Sequence, residues 1–173
     1  MSTLSKRKGV KEFLEAYVSL EKNLRDKLNL FFLGEGELLN ELMQIKKDNK
    51  LINVHFLGHV NQEVVRDFLS FSDIFALPTK LDPNPLTPIE ASYMRKPLLI
   101  SKFAGNYNEL LNGNTGLSID TISPEAIKKS LLELTTLSKK QLKEMGENSY
   151  LNVVSKFSRK SSSINLIKFL KNI

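Results

Sequence analysis

The amino-acid sequence predicts an α/β protein whose strands form a parallel, doubly wound sheet within a single domain. Two patterns carry this prediction. Five short apolar runs alternate with longer segments of helical periodicity, and the apolar runs end at glycine, proline or polar turn residues. Strands that alternate with helices are typical of parallel sheets covered by helices on both faces. The length of 173 residues fits one domain with a sizeable core.

The predicted elements follow one another in a regular order from the N-terminus. Helical spacing of apolar residues first appears between Phe13 and Leu28, and Asn61 and Ser123 are suitable caps for two later helices. The predicted strands cover residues 29–33, 54–57, 74–77, 98–100 and 117–119. The predicted helices cover 11–28, 38–47, 61–71, a short segment around 109–111, 123–137, 139–154 and 164–173, and another begins at 87.

Composition narrows the classes of partner. The formal net charge is +6, and the basic residues are scattered rather than interleaved with aromatic ones. This favours anionic ligands and an anionic membrane surface as partners, and it argues against nucleic acid. No apolar run of 18 residues predicts a membrane span. The absence of cysteine excludes disulfides, and with no signal-peptide pattern it indicates a cytoplasmic protein, peripheral to the inner face of the membrane if that surface is a partner.

Residues 77–101 are the stretch most indicative of function. Asp82 lies in a proline-rich loop after an apolar run, and seven residues separate it from Glu90 in the first turn of the next helix. A helix N-terminus at the carboxyl end of a parallel strand suits a phosphate, and a carboxylate there can accept hydrogen bonds from both ribose hydroxyls. Thr87 and Glu90 also have the spacing of a capping box, with Pro88 at the first helical position. The stretch by itself favours capping over ligand binding, although the two roles are compatible.

Two other motifs have simpler interpretations. Gly34-Glu35-Gly36 follows a strand, as in dinucleotide-binding proteins, but Leu39 replaces the third glycine and the acidic side chains would repel a pyrophosphate. A tight turn is the better interpretation. His55 and His59 lie on a strand and its turn without an aligned acidic partner, which argues against a metal site. His55 is more simply a strand residue that faces a polar layer.

Six motifs in order resemble the family 4 (group 1) glycosyltransferases, which are retaining enzymes of the GT-B fold. Asp82 to Ala91 resembles the acidic–x7–acidic signature of that family. The other motifs occur at close to the family's spacing: Lys8-Gly9, Leu33-Gly34-Glu35-Gly36-Glu37, Phe56-Leu57-Gly58, Ser72-Asp73-Ile74-Phe75-Ala76-Leu77-Pro78 and Asn112-Gly113-Asn114-Thr115-Gly116-Leu117. The resemblance implies that residues 1–173 form a Rossmann-like domain, the C-terminal nucleotide-sugar-binding half of a GT-B enzyme, without the N-terminal acceptor domain.

The resemblance also implies a catalytic set of Lys8, Asp82 and Glu90. Lys8 would balance the charge of the leaving diphosphate, as a fixed ammonium can do electrostatically. Asp82 would contact sugar hydroxyls and Glu90 the ribose. The parent enzyme would transfer a hexose from a nucleotide-sugar to an acceptor hydroxyl with retention, in polysaccharide biosynthesis. No metal and no other cofactor is expected.

Backbone groups complete the implied donor site. Those near Val60 would meet the nucleobase, and the N–H groups of Leu86 and Thr87 would bind the diphosphate. Pro85, however, stands where the family has glycine, and Arg95 replaces another glycine. The family's diphosphate-binding arginine has no counterpart near residue 3. These departures favour an alternative, a non-catalytic nucleotide-binding or interaction module of the same fold.

Overall fold

The computed structural model describes residues 3–158 and residue 163, and it contains five short strands. They are β1 (Leu30–Phe32), β2 (Val54–Phe56), β3 (Phe75–Leu77), β4 (Leu98–Ser101) and β5 (Gly116–Ile119). The helices are α1 (Val10–Val18), α2 (Lys22–Arg25), α3 (Leu39–Asp48), α4 (Gln62–Phe71), α5 (Thr87–Tyr93), α6 (Tyr107–Leu110), α7 (Pro124–Thr136) and α8 (Lys139–Phe157), with a 3-10 turn at Lys6–Lys8.

Every paired strand is parallel, and the strands form two hydrogen-bonded sheets. β1 pairs with β2, with Phe31 opposite His55. The second sheet has the order β3-β4-β5, with Ala76 opposite Leu99 on β4 and Leu99 opposite Leu117 on β5. The predicted α/β class with parallel strands and alternating helices is therefore confirmed. The division into two sheets is a finding that the sequence pattern did not indicate.

Polar caps fix several helix starts where the sequence predicts them. The side chain of Asn61 accepts a hydrogen bond from the Val64 N–H, and Ser123 accepts one from the Ala126 N–H. Ser138 and Gln141 form a complete capping box at the start of α8. Each cap satisfies N–H groups that the helix itself leaves unpaired. The helix boundaries at 61, 123 and 138 consequently lie close to the predicted ones.

The predicted helix over 11–28 is wrong, because α1 ends at Val18 and only the short α2 follows. The Arg25 guanidinium donates to the carbonyl of Val18, and the Tyr17 hydroxyl donates to the carbonyls of Arg25 and Leu28. These side chains satisfy backbone carbonyls around the break, so the chain can turn there at low cost. Burial of Tyr17 also raises the pKa of its hydroxyl.

The core consists of two clusters. The larger one combines the apolar face of α1 with α3, α7 and side chains of all five strands, and its fully buried members include Leu14, Leu42 and Leu99. The smaller one lies between β3, β4, α5, α6 and α8, and it includes Leu98 and Val153. The last predicted helix, over 164–173, lies outside the described residues.

Helices α5 and α8 pack very closely. A Cβ at Gly146 would lie 2.1 Å from the carbonyl oxygen of Arg95, so α8 needs a residue without a side chain there. The Ser149 hydroxyl donates to the Ser92 hydroxyl, which donates to the Pro88 carbonyl in the first turn of α5. Arg95 itself has φ of +55°, in the left-handed region that favours glycine.

Arg95 takes this unfavourable conformation with support from α8. Its guanidinium lies 4.0 Å from the centre of the Tyr150 ring and pairs with Glu147 at 3.1 Å. A stacked cation at an exposed position contributes about 0.5–1 kcal/mol, and an exposed ion pair contributes at most about 1 kcal/mol. These two contacts offset the backbone strain at Arg95, a position where the family that the sequence resembles has glycine.

Candidate functional site

The loops that follow the strands converge at one edge of the molecule. The N-terminal segment, Leu4 to Arg7, runs between the end of β1 and the end of β3. The N–H of Leu4 donates to the Glu35 carbonyl, and the Arg7 carbonyl accepts from both the Lys80 N–H and the Thr79 hydroxyl. Lys80 also contacts Glu12 at 2.5 Å. The segment from Leu4 to Arg7 is thereby attached to the carboxyl ends of strands from both sheets, where open α/β folds bind their ligands.

Lys8 and Asp82, both predicted from the sequence, meet at this edge. The Lys8 ammonium contacts Asp82 Oδ2, and the two side chains are 13% and 14% exposed. Gly9 sets the position of Lys8, because it has φ of +64° and any Cβ there would lie 1.9 Å from the Pro78 carbonyl oxygen. Only glycine permits the N-terminal segment to approach the end of β3 this closely.

Backbone hydrogen bonds on both sides hold Asp82. Its N–H donates to the carbonyl of Phe103, and its carbonyl accepts from the Gly105 N–H at 2.8 Å. A Cβ at Gly105 would lie 1.8 Å from the Pro83 carbonyl oxygen, so the loops after β3 and β4 are in direct backbone contact. The backbone that carries the Asp82 carboxylate is consequently fixed, although the residue lies in a loop.

Glu90 lies in the first turn of α5 with an exposed side chain. The predicted capping box is wrong, because Leu86 is the N-cap residue and no side chain caps the helix. Thr87 is already helical at the first position, which moves Pro88 to the second. Among residues 3–158 and 163, the Glu90 carboxylate has no hydrogen bond or ion pair, and no acceptor pairs with the N–H groups of Leu86 and Thr87. These groups remain available to a ligand.

Val60 follows β2 at the same edge and is half-buried. The N–H of its neighbour His59 donates to the Glu35 carboxylate at 3.2 Å, and Gly34 pairs with Gly58 in an isolated antiparallel bridge. The turn at Gly34–Gly36 is therefore tied to the loop after β2 and to Leu4. This arrangement agrees with the interpretation of the glycines as a tight turn.

Asn106 is a site residue that the sequence did not reveal. It is 5% exposed, and its side-chain amide donates to the Pro85 carbonyl at 2.7 Å. Its Oδ1 is the one buried side-chain oxygen or nitrogen without a partner in the part of the chain that the structure describes. An asparagine that precedes a short helix is expected to cap it, and here it instead fixes the loop between Asp82 and α5.

A second ion pair joins the loops after β4 and β5. Lys102 and Asp120 lie 2.8 Å apart. The hydrogen bond from Lys102, followed by one from Ser118, lowers the pKa of the Asp120 carboxyl. The hydrogen bond to Asp120 in turn raises the pKa of Lys102. Both side chains are exposed, so the pair mainly orients two neighbouring loops.

The two histidines have different surroundings. The ring of His55 stacks on Phe31 with 4.8 Å between ring centres, so the expectation of a polar layer around it is wrong. His59 is exposed. Within residues 3–158 and 163, no group of three or more His, Cys, Asp or Glu side chains could hold a metal ion.

A groove of about 720 Å³ contains Ile52 and Lys50, at the opposite end of β2 from Val60, and it includes none of the predicted site residues.

Residues 1–152 match the sequence family described as glycosyl transferases, group 1. The chain belongs to this family. An uncharacterized glycosyltransferase of Methanocaldococcus jannaschii is 28% identical over 162 residues, which are 92% of this chain and 41% of that protein. The UDP-Gal:α-D-GlcNAc-diphosphoundecaprenol α-1,3-galactosyltransferase of Escherichia coli is 27% identical over 163 residues, which cover 89% of this chain and 38% of the enzyme. The group 1 chain thus spans about two fifths of the length of these relatives.

Several solved structures share the fold of the group 1 chain. Anabaena HepE in complex with UDP superimposes with a TM-score of 0.82 at 16% identity, over 100% of this chain and 48% of HepE. WaaG, a glycosyltransferase of lipopolysaccharide biosynthesis, gives 0.79 at 22% identity, over 94% of this chain and 43% of WaaG. The C-terminal domain of LpcC from Francisella tularensis gives 0.79 at 20% identity, over 92% of this chain and 84% of that domain. The fold is that of a single Rossmann-like domain of GT-B type.

Among the described residues, no helix combines the length and apolar character needed to cross a membrane.

Proposed function

We propose that residues 1–173 are the C-terminal, donor-binding domain of a retaining glycosyltransferase of family 4. The parent enzyme would transfer a hexose from a nucleotide-sugar to an acceptor hydroxyl. The observation that carries the proposal is the contact between Lys8 and Asp82 at the carboxyl ends of the strands. An ammonium held at that edge can balance the charge of a leaving diphosphate, and the neighbouring carboxylate can accept hydrogen bonds from sugar hydroxyls.

The first turn of α5 would hold the diphosphate and the ribose. The N–H groups of Leu86 and Thr87 have no acceptor among the described residues. They lie at the N-terminus of α5, and an anion is stabilised at such a position. The free carboxylate of Glu90 is available to the ribose diol. Val60, at the end of β2, would provide backbone contacts to the nucleobase.

Two similar proteins support a nucleotide-sugar as the substrate, because TarM was crystallised with UDP and HepE with UDP and glucose. The role of WaaG in lipopolysaccharide biosynthesis supports an acceptor in cell-surface polysaccharide synthesis. The scattered positive charge of the chain supports a cytoplasmic location at an anionic membrane surface. We expect donor binding without a metal ion, because Lys8 and helix N–H groups supply the positive potential at the phosphates.

The isolated chain should bind the donor nucleotide but transfer no sugar. In the GT-B arrangement a second domain closes over the donor and places the acceptor hydroxyl. Such positioning can supply about 7–11 kcal/mol of the barrier reduction.

Calorimetric titration with UDP, GDP and ADP tests the proposal. We expect one of the three to bind, and Lys8→Met to weaken its binding about tenfold or more, since one charge-assisted contact is worth about 1.5–3 kcal/mol. Lys140→Met is the matched control, because Lys140 lies on α8 with a side chain that is 86% exposed. Binding of no nucleotide, or equal losses in both variants, would contradict a donor site at Lys8.

Pro85 favours the second candidate function, a non-catalytic nucleotide-binding or interaction module. Proline supplies no N–H to a phosphate, and the Pro85 carbonyl is already occupied by Asn106. Labelled nucleotide-sugars and an acceptor panel distinguish the two functions when the longer parent protein is assayed. Transfer by the parent supports the enzyme, whereas nucleotide binding without transfer by the parent supports the module.

A further inference from the structure

The groove of about 720 Å³ beside α3 lies at the amino end of β2, and a second groove of about 310 Å³ adjoins it. The two grooves share the turn at residues 50–52, which connects α3 to β2. The proposed donor groups follow the carboxyl ends of the strands, so this turn lies at the opposite end of the sheet. The amino-end surface is defined by five accessible side chains of the first groove: Met43, Lys46, Lys47, Lys50 and Ile52.

The amino-end surface is positively charged. Among residues 3–158 and 163, none of its three lysines has an ion-pair partner. Of the described residues that line the two grooves, Asp26 is the only acid, and it is paired with Lys22. The neighbouring Asp48 accepts a hydrogen bond from the Gln44 amide. The three ammonium groups are therefore available to an external anion.

The backbone at Lys50 adopts a conformation that favours glycine, with φ of +50°. The N–H of Lys50 donates to the carbonyl of Lys47, and the N–H of Leu51 donates to the carbonyl of Lys46. This is a helix end whose left-handed residue is usually glycine. Lysines near a helix end suit the helix dipole, but Lys46 and Lys47 in the last turn already meet that preference. The strained position of Lys50 indicates that its charge has an external use.

Two aliphatic side chains project beside the lysines. Ile52 is 77% exposed, the highest value among the large apolar residues that the structure describes, and Met43 is 51% exposed. The residues on either side of Ile52 are fixed, because Leu51 is buried and the Asn53 carbonyl accepts from the Leu30 N–H at β1. The exposed Ile52 therefore projects from a turn that is anchored on both sides.

We infer that the amino-end surface binds an anionic lipid bilayer. Its three lysines contact the lipid phosphates while Ile52 and Met43 enter the headgroup layer, the combination of basic and apolar residues that suits a membrane surface. With the amino ends of the strands toward the lipid, the donor edge faces away from the bilayer, toward dissolved nucleotide-sugar. The inference rests on the membrane location in the proposed function, and it adds the face of the domain that makes the contact.

The apolar side chains favour lipid over nucleic acid as the anion. Single-stranded nucleic acids are bound by stacking of bases on accessible aromatic rings, whereas Ile52 and Met43 are aliphatic. Phe56 also lines the groove, but its ring is already stacked on Phe32 with 5.0 Å between ring centres. Aliphatic side chains gain free energy when they leave water for an apolar layer. RNA binding is therefore the alternative that the experiment distinguishes.

Cosedimentation with vesicles of equal parts phosphatidylglycerol and phosphatidylcholine tests the surface, with vesicles of phosphatidylcholine alone as the reference. The combined change Lys46→Gln, Lys47→Gln and Lys50→Gln should weaken binding about a hundredfold, since each basic residue near anionic lipid contributes about fivefold. The matched control removes the same charge from three exposed lysines of α8, Lys139, Lys140 and Lys143. We expect this control to change binding much less.

Two single variants separate the surface from the fold. Lys50→Gly places glycine in the left-handed position, so the melting temperature should not fall while vesicle binding weakens about fivefold. Ile52→Ser should weaken vesicle binding about tenfold, because its apolar side chain no longer enters the lipid. Full vesicle binding by both single variants would overturn the inference.

Equal losses in the two triple variants would show a dependence on net charge alone and would also overturn it. The same holds for an unaltered chain that binds no anionic vesicles, or that binds single-stranded RNA through these lysines and no vesicles. Calorimetric titration of the same variants with nucleotide separates this result from the proposed function. Nucleotide binding without vesicle binding overturns this inference alone, whereas vesicle binding without nucleotide binding supports it and counts against the donor site alone.

Discussion

The ammonium of Lys8 contacts the carboxylate of Asp82 across a separation of 74 residues in the chain. Both side chains are mostly buried, so each charge is stabilised mainly by the other. Removal of one partner from such a pair leaves a poorly hydrated charge. The pair is a structural tie between the N-terminal segment and the loop after β3, in addition to its proposed role toward the donor.

Lys8→Met and Asp82→Asn should each destabilise the protein by about 1–3 kcal/mol, because each leaves one partner of a largely buried pair alone. The double variant should be more stable than the sum of the single losses predicts, with a coupling of about 0.5–3 kcal/mol. Urea unfolding of the four proteins measures this cycle. Strictly additive losses would show that the two charges do not interact.

Glu90→Gln should lower affinity for the bound nucleotide about ten- to a hundredfold, because charge-assisted bonds to a ribose diol are lost. Its free energy of unfolding should change by less than about 0.5 kcal/mol, since the carboxylate does not cap α5. Calorimetry and urea unfolding give the two numbers. Glu109→Gln, an exposed acid in the first turn of α6, is the control, and unchanged affinity in Glu90→Gln would remove Glu90 from the site.

Asn106→Ala should cost about 1 kcal/mol of stability, because the buried carbonyl of Pro85 loses its donor. The loop between Asp82 and α5 then loses its anchor, so nucleotide affinity should fall as well. Thermal unfolding and calorimetry test both effects. Asn148→Ala provides the comparison, since its side chain makes one long, exposed bond of 3.4 Å to Asn114; equal effects in the two variants would argue against an anchoring role.

Nucleotide binding should survive a chelator. The positive potential at the proposed site comes from Lys8 and from helix N–H groups, so EDTA should leave the dissociation constant unchanged within error. The measurement is a calorimetric titration with and without EDTA, followed by addition of Mg²⁺. A loss of binding that Mg²⁺ restores would contradict the metal-independent site.

Asp120→Asn should reduce stability at pH 6 but not at strongly acidic pH. The hydrogen bond from Lys102 lowers the pKa of Asp120 from its ordinary value of 3.8. A carboxyl with a lowered folded-state pKa contributes stability above that ordinary value, and the contribution disappears as the pH falls through the lowered pKa. Urea unfolding at several pH values should show the variant and the natural protein converge below pH 3.8. Glu133→Gln serves as the control, and a stability difference independent of pH would refute the linkage.

The sequence predicted those parts of the fold that depend on local pattern. Apolar runs located all five strands, and Asn61 and Ser123 located two helix starts, because the cap and the helix it begins are neighbours in the chain. The break after Val18 was not predictable, since it depends on Arg25 and Tyr17 folding back onto backbone carbonyls. The division into two sheets was missed for a similar reason, because strand pairing joins residues far apart in sequence.

The candidate site likewise has residues that the sequence predicted and one that it did not. Asp82 and Glu90 could be named because they share one short stretch, and Lys8 because a motif surrounds it. Their assigned roles remain predictions. The capping box was wrong because Leu86 is the N-cap and the helix begins at Thr87 rather than at Pro88, a shift that spacing alone cannot reveal. Asn106 left no signal, since its partner Pro85 lies 21 positions away and is identified only by the folded backbone.

The close packing of α8 on α5 has a mechanical consequence. A continuous path of hydrogen bonds runs from Ser149 through Ser92 to Pro88, which lies in the same helical turn as Glu90. Because Gly146 leaves no side chain between α8 and the Arg95 backbone, the two helices are in direct backbone contact beside this path. We expect these hydrogen bonds to transmit a pulling force applied at the end of α8 to the turn that carries Glu90. Immobilisation or optical-trap handles attached at Phe157 should therefore load the turn that carries Glu90.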